Sequence, residues 1–251
     1  MIQLKSPREI EIMATGGRIL GATVEMLRRE VRPGMSTLQL DELAESFIRS
    51  HPGATPSFKG LYGFPGSVCV SINEEIVHGI PSRKRVLRDG DIISIDVGVK
   101  YDGYHTDSAT TVAVGAVPDE SQRLLDVTQR ALAAGIDAAQ PGNHVGDIGA
   151  AIQAVVEQSK FSIVRDLVGH GIGVAFHEEP QVPNYGKPRR GTKLVPGLTI
   201  AIEPMVNAGG PGTRTMPDRW TVVTVDGSRS AHFEHTVAIT EAGPRVLTAA
   251  G

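Results

Sequence analysis

Two segments of this chain, 107 residues apart, share an uncommon pattern: an apolar alternation that ends in an acid. The first is Asp91-Ile92-Ile93-Ser94-Ile95-Asp96 and the second is Leu198-Thr199-Ile200-Ala201-Ile202-Glu203. Gly90 and Gly197 stand ahead of them at the same separation, and Pro33-Gly34 and Pro141-Gly142 lie 108 apart. Around these landmarks the order helix, Pro-Gly, helix, strands occurs twice. Recurrence at a fixed separation marks a repeated structural unit. We read residues 6–117 and 118–240 as an internal duplication within one domain spanning 1–251. Coincidence among common strand patterns is the alternative, and three landmarks in nearly one register weigh against it. Halves related in this way would pack about a pseudo-twofold axis and turn their acids toward one site.

The stretch Ile92 to Val114 shows why those acids matter. It reads as two strands joined by the turn chemistry of Tyr101-Asp102-Gly103. Ile93, Ile95 and Val97 share one face of the first, which leaves Asp96 on the other face with Ser94. In the second, Asp107 lines up with Ala109, Thr111 and Ala113. A carboxylate buried there without compensation costs several kcal/mol, roughly, even after relaxation. Neither strand carries a Lys or Arg close to the two Asp on the same face, so a bound metal answers them better than an ion pair.

The rest of the chain is read by the same rules. Ser6-Pro7-Arg8-Glu9 has the form of a capping box, and Ile10, Met13, Leu20, Val24 and Leu27 follow at helical spacing. Ser36 caps a second helix whose predicted buried stripe is Leu40, Leu43, Phe47 and Ile48. Residues 51–66 are turn-rich and hold Phe58, Tyr62 and Phe64. Ser67 to Ile72 alternates as a strand, and His78-Gly79-Ile80-Pro81 reads as a loop. After Pro118 come a helix with Leu124, Leu125, Leu132 and Ile136, then one through Ile148, Ile152 and Val155. Strands are predicted at 163–168, 198–202, 220–225 and 233–239.

Composition narrows the function classes. A net charge of −3 over 251 residues gives no general affinity for nucleic acid, and the cluster Arg83, Lys84, Arg85 and Arg88 reads as a solvated face. Cys69 is the only cysteine, so no intrachain disulfide forms and a reducing compartment fits. Without an apolar leader or a run of membrane-span length, a soluble cytoplasmic protein is expected. No apolar stripe calls for more than a monomer.

Five residues read as metal ligands: Asp96 and Asp107 on the hairpin, His170 in Val168-Gly169-His170-Gly171-Ile172-Gly173, Glu203, and Glu234 in His232-Phe233-Glu234-His235. Each alone has a dull explanation, since a lone acid beside a turn is usually a cap and a lone His among glycines usually structural. Their recurrence carries the reading: four strands each bear an acid on the small-residue face. Four carboxylates are too much negative charge for a single divalent ion, and two bridged ions would balance them. Oxygen-rich ligation with one nitrogen suits manganese, iron, cobalt or zinc, and one cysteine excludes a thiolate zinc site. Such a pair activates water and polarises a carbonyl or phosphoryl oxygen.

The ordered set Asp96, Asp107, His170, Glu203 and Glu234, with GHGIG, TIAIEPM and SAHFEHT around it, resembles the type I methionine aminopeptidases. The likeness runs from the first helix to about Thr240. It implies the pita-bread α/β (α+β) fold: two pseudo-twofold halves, with a central antiparallel sheet backed by two helix pairs. It also implies removal of the initiator methionine from the N-termini of nascent peptides, with preference for small second residues. By the same resemblance a metal-bridging hydroxide attacks the first peptide carbonyl, and Glu203 moves the proton as general base and acid. His78 (in VHGIP) and His177 (in AFHEEP) match the histidines that hold the scissile amide and the developing oxyanion. Phe64, Cys69, Phe176 and Trp220 match the walls of the methionine pocket; on sequence alone those aromatics read as core.

The chain departs from the pattern at Leu61 and Tyr62, where the family often has Tyr and His. With only a few residues ahead of its first helix, it is expected to lack the amino-terminal extension of longer members, and the helical insertion of the type II branch is not seen between its motifs. Transient contact with the ribosome fits such an enzyme. An X-Pro aminopeptidase or prolidase shares the fold and ligands but usually carries an extra amino-terminal domain. A non-catalytic pita-bread protein binding ribosomes or histones would typically have lost ligands, and here none is missing.

Overall fold

In the first half, helices α1 (Pro7–Glu30) and α2 (Thr37–Arg49) precede strands β1 (Ala54–Pro56), β2 (Val68–Ile72), β3 (Glu75–Val77), β4 (Ile92–Tyr101) and β5 (Tyr104–Ala113). The computed structural model describes residues 2–249. The second half opens with α3 (Asp119–Ala138) and α4 (Val145–Gln158), then β6 (Ser162–Ile163), β7 (Gly169–Gly171), β8 (Glu178–Val182) and β9 (Thr199–Ile202). Six further strands complete it: β10 (Met205–Asn207), β11 (Thr213–Thr215), β12 (Val222–Thr224), β13 (Ser230–His232), β14 (His235–Thr240) and β15 (Gly243–Val246).

The predicted capping box at Ser6 forms, and the predicted cap at Ser36 is a capping box as well. Ser6 and Glu9 bond reciprocally at the start of α1, and Ser36 and Gln39 do so at α2, satisfying amides that a helix end leaves free. The turn between the helices is built twice. Gly34 (φ 87°) donates its N–H to the Leu87 carbonyl at 2.8 Å, and Gly142 (φ 93°) donates to the Leu194 carbonyl at 2.8 Å. Thr37 to Arg85 and Val145 to Thr192 repeat the correspondence at 2.8 and 2.9 Å.

All strand pairings among the described residues are antiparallel. β4 is the axis of one sheet, with β5 along one edge and β1 and β2 in series along the other. A second sheet runs β15-β14-β9-β7-β8. Side-chain parity decides what each sheet buries. Ile93, Ile95 and Val97 pack with Leu20, Leu40 and Ile48 of α1 and α2. Ile200 and Ile202 pack with Leu124, Ile148 and Ile152 of α3 and α4. The remaining faces, bearing Asp96 and leading to Glu203, turn inward toward each other. This is the pita-bread architecture, an α/β fold of antiparallel sheets backed by two helix pairs.

Between the halves runs a seam of hydroxyl groups. Thr236 Oγ1 accepts from the Asp107 N–H and donates to its carbonyl, both at 2.8 Å. Thr111 Oγ1 does the same for His232, at 2.8 and 2.9 Å. Ser108 Oγ donates to the Glu234 carbonyl at 2.8 Å, and the Glu234 N–H donates to the Ala109 carbonyl at 2.9 Å. Residues some 130 positions apart are thereby fixed without a continuous ladder.

Several expectations are corrected. The strand predicted at 163–168 is Ser162–Ile163 only, because no partner continues past β10. Those at 220–225 and 233–239 begin at Val222 and His235. Glu203 and Glu234 therefore flank strands, and only two of the four acids stand within one. Leu43 is exposed; Asp41 takes the buried place in α2, its Oδ1 accepting from the amides of Ser67 and Val68 at 2.6 and 3.0 Å. Arg85 leaves the solvated cluster: half-buried, it pairs with Glu75 and donates to the carbonyls of Val70 and Ile80.

Candidate functional site

Every candidate named from the sequence lines one cavity of about 480 Å³ between the halves. Its floor is acidic. Asp96, on β4, lies in register with Cys69 on β2 and Ala109 on β5, while Asp107 stands opposite Gly98. The missing side chain at Gly98 matters, since a Cβ there would sit 2.9 Å from the Phe176 ring and 2.8 Å from Ser57. Glu203 enters from the break between β9 and β10, its carbonyl accepting from Asn184 Nδ2 at 3.0 Å. Glu234 enters from the break between β13 and β14 and is 1% exposed.

His170 sits on β7, and not in a loop, flanked by glycines whose backbone is closely approached. A Cβ at Gly169 would lie 2.3 Å from the Ala201 carbonyl oxygen, and one at Gly171 2.2 Å from that of Glu179. The ring is oriented by its own neighbour: Nδ1 lies 2.8 Å from the Gly171 carbonyl, which can only accept. The proton is therefore on Nδ1, and Nε2 presents a lone pair toward Glu203 Oε1 at 3.6 Å and Asp107 Oδ2 at 3.9 Å. A backbone carbonyl behind a ligating histidine sets tautomer and ring angle in this way.

The electrostatics are those of a cation site. Burial, with the negative charge of Glu234 and Asp96 beside it, pushes the Asp107 carboxyl well above the usual carboxylate range. Burial first and the neighbouring acids second raise Glu203 and Glu234 as well, and burial alone raises Asp96. It lowers His170 to about 4, so that imidazole is neutral. Asp96 Oδ1, Asp107 Oδ1 and Glu234 Oε1 have no hydrogen-bond partner among the described residues. Buried oxygens of this kind normally have a partner, and one donor each from Asp107, His170 and Glu234 lie within 4.8 Å of one another. Residues so arranged fit hard or borderline divalent cations.

Above the floor the cavity is apolar. Phe64 meets Trp220 edge-on at 5.1 Å between centroids, and Phe58 meets Phe176 at 5.2 Å. Cys69 is buried in the same cluster, and burial raises its thiol well above the ordinary value, so it is protonated and unreactive. His177 lies on the rim with its ring 4.4 Å from that of His170, stacked on Tyr62, whose hydroxyl is 3.3 Å from Nδ1. His78 follows β3 in the left-handed region (φ 61°). Gly79 beside it admits no side chain, because a Cβ would lie 2.1 Å from the Val70 carbonyl oxygen.

Sequence reasoning passed over two residues that line the cavity, Tyr62 at the rim and His232 at the floor. Tyr62 reads from the sequence as an aromatic in a turn-rich stretch and a departure from the family pattern, and its stacking depends on a left-handed turn (φ 51°) that pattern does not reveal. His232 stands in the sequence only as a neighbour of Glu234. It is 1% exposed, with Nε2 3.7 Å from Glu203 Oε2 and 3.9 Å from Glu234 Oε2. The signal was present, since His232 and Glu234 are two apart and alternation puts them on one side.

Fold and site together define a metallopeptidase of the pita-bread class. A model of metallopeptidase family M24 matches residues 11–241, and the chain belongs to that family. It is 55% identical over 248 residues to methionine aminopeptidase 1 of Bacillus subtilis (strain 168), covering 99% of both chains. The crystal structure of methionine aminopeptidase from Thermotoga maritima superposes with a TM-score of 0.97 at 42% identity, covering 99% of this chain and 100% of that one. A Xaa-Pro dipeptidase from Bacillus anthracis shares the fold alone, at 23% identity and a TM-score of 0.77, and this chain spans 62% of its length. No helix among the described residues is long and apolar enough to cross a membrane.

Proposed function

We propose that the protein removes the N-terminal methionine from nascent polypeptides, using two divalent ions held by Asp96, Asp107, His170, Glu203 and Glu234. The observation that carries this reading is the pairing of an acidic floor, with unpartnered buried oxygens, and an aromatic wall over it. A dinuclear centre supplies a nucleophilic water near neutral pH and polarises the scissile carbonyl. Glu203 accepts the proton of the attacking water and returns it to the leaving amine. Partial desolvation on the rim lowers the His177 pKa, which favours the neutral ring. With the Tyr62 hydroxyl donating to Nδ1, its Nε2–H is left to stabilise the oxyanion. His78 orients the amide from the opposite side. Phe64, Cys69, Phe176 and Trp220 surround the methionine side chain, whose polarisable thioether suits aromatic edges. Residues 6–117 and 118–240 form two copies of one unit in a single domain, each supplying acids to this centre.

The test is turnover of Met-Ala-Ser and of an Ala-Pro peptide by the chelated protein, before and after addition of manganese, iron, cobalt or zinc. We expect no turnover without metal and release of methionine with it. Faster cleavage of the Ala-Pro peptide would assign the site to X-Pro substrates, and full activity after chelation would remove the metal reading.

A further inference from the structure

Of the imidazoles at the acidic floor, His170 is anchored and His232 is not. The His170 Nδ1 proton is committed to the Gly171 carbonyl, which leaves its Nε2 as a lone-pair donor. His232 is 1% exposed, and neither of its ring nitrogens has a hydrogen-bond partner among the described residues. Its backbone cannot move to find one, because Thr111 Oγ1 holds both its N–H and its carbonyl. It also pairs across the sheet with Met205, two residues beyond Glu203. Nε2 faces the two glutamates, 3.7 Å from Glu203 and 3.9 Å from Glu234. With cations bound the two glutamates are ionised and only accept, so the neutral ring places its proton on Nε2.

Glu203 thus has an imidazole at each oxygen: His170 at Oε1, offering a lone pair, and His232 at Oε2, offering a proton. The distance to His232 is about 0.5 Å beyond hydrogen-bond range. The last torsion of Glu203 is a soft one, which leaves its carboxylate free to turn toward the ring.

We propose that His232 is a positioning residue of the metal centre, donating from Nε2 to the outer oxygen of Glu203 and fixing how that carboxylate and Glu234 are presented to the ions. The proposal rests on the two-ion reading above. Groups that hydrogen-bond to metal ligands set ligand orientation, and their loss typically costs about 10–100-fold in metal affinity.

The test compares H232L, which removes the donor, with H232Q, which keeps an N–H at similar reach. Binding of Mn²⁺ and Co²⁺ to the chelated proteins is followed by calorimetry, and the Co²⁺-loaded forms by their visible absorption bands. We expect H232L to weaken at least one binding step by about tenfold or more and to shift the cobalt bands. H232Q should restore both. Wild-type affinities and bands in H232L overturn the proposal. So does an H232Q protein as impaired as H232L, because the ring nitrogen would then act as a ligand rather than a donor. If H232L does not fold, H232N replaces it, since its shorter amide falls out of reach and should behave as the leucine variant is expected to. Uptake of a single ion by the wild type would defeat the dinuclear reading, while the contrast between variants on that one step still decides the role of His232.

Discussion

The two halves hold their acids differently. In the first, Asp96 and Asp107 stand in the middle of ten-residue strands, and a full antiparallel ladder fixes their direction. In the second, Glu203 and Glu234 occupy breaks, one between β9 and β10 and the other between β13 and β14. The side chains match this division. A short Asp on a ladder has little freedom, whereas a Glu at a break reaches farther and depends on outside anchors. For Glu203 the backbone anchor is Asn184, and for Glu234 it is the edge of β5. One half supplies a rigid template and the other adjustable arms, joined by the hydroxyl seam.

The largest effect is expected where this division is removed altogether. Asp107→Asn and Glu234→Gln should each lower the turnover of Met-Ala-Ser by more than about 100-fold, exceeding the cost typical of losing a ligand's hydrogen-bonding partner. Metal content measured on the same samples should fall below two ions. Full activity in either variant would mean that one half suffices.

A binding ion bridging the halves should also stabilise them jointly. At 100 times the dissociation constant the gain is about 2.7 kcal/mol, seen as a rise in melting temperature. Amide exchange should slow together in β5 and β14; protection confined to one of them would place the ions in one half.

Thr236→Val tests the seam itself. It leaves the buried N–H and carbonyl of Asp107 without their partner, and a loss of about 1–3 kcal/mol in a denaturant titration is expected. A neutral result would show that packing, not the hydroxyl, aligns the halves.

The smallest effect compares the turns that recur in each half. Gly34 and Gly142 have left-handed φ and open space at the Cβ position. Alanine at either should cost about 1–2 kcal/mol through backbone conformation alone. Clearly unequal costs for G34A and G142A would show that the two turns are not mechanically equivalent.

Much of this was legible beforehand because it is local. Alternation placed Asp96 opposite Ile95 and Val97, and the capping residues at Ser6 and Ser36 set the helix starts. Length of pattern was a poorer guide. Ile163 to Val168 alternates plausibly, yet only two residues find a strand to pair with. Leu43 and Asp41 exchange expected places because the α2 face was inferred from hydrophobicity alone. The amides of Ser67 and Val68 reward a carboxylate there. His232 escaped for a related reason: its importance lies in having no partner but two glutamates, which a linear pattern cannot display.

By itself, then, the sequence determined the four helices, the long β4–β5 hairpin with the faces of its side chains, and an excess of inward carboxylates that demands positive charge. These follow from backbone geometry and from the cost of burying charge, both of which act over a few residues. Tertiary structure alone decided that β5 meets β14 through hydroxyl groups, that His170 and His232 approach opposite oxygens of Glu203, and that aromatics from distant segments close over them. Those outcomes depend on packing between residues far apart in sequence, from about 30 positions for the histidines around Glu203 to more than a hundred for the β5–β14 seam, where side-chain shape and available partners settle what local preference leaves open.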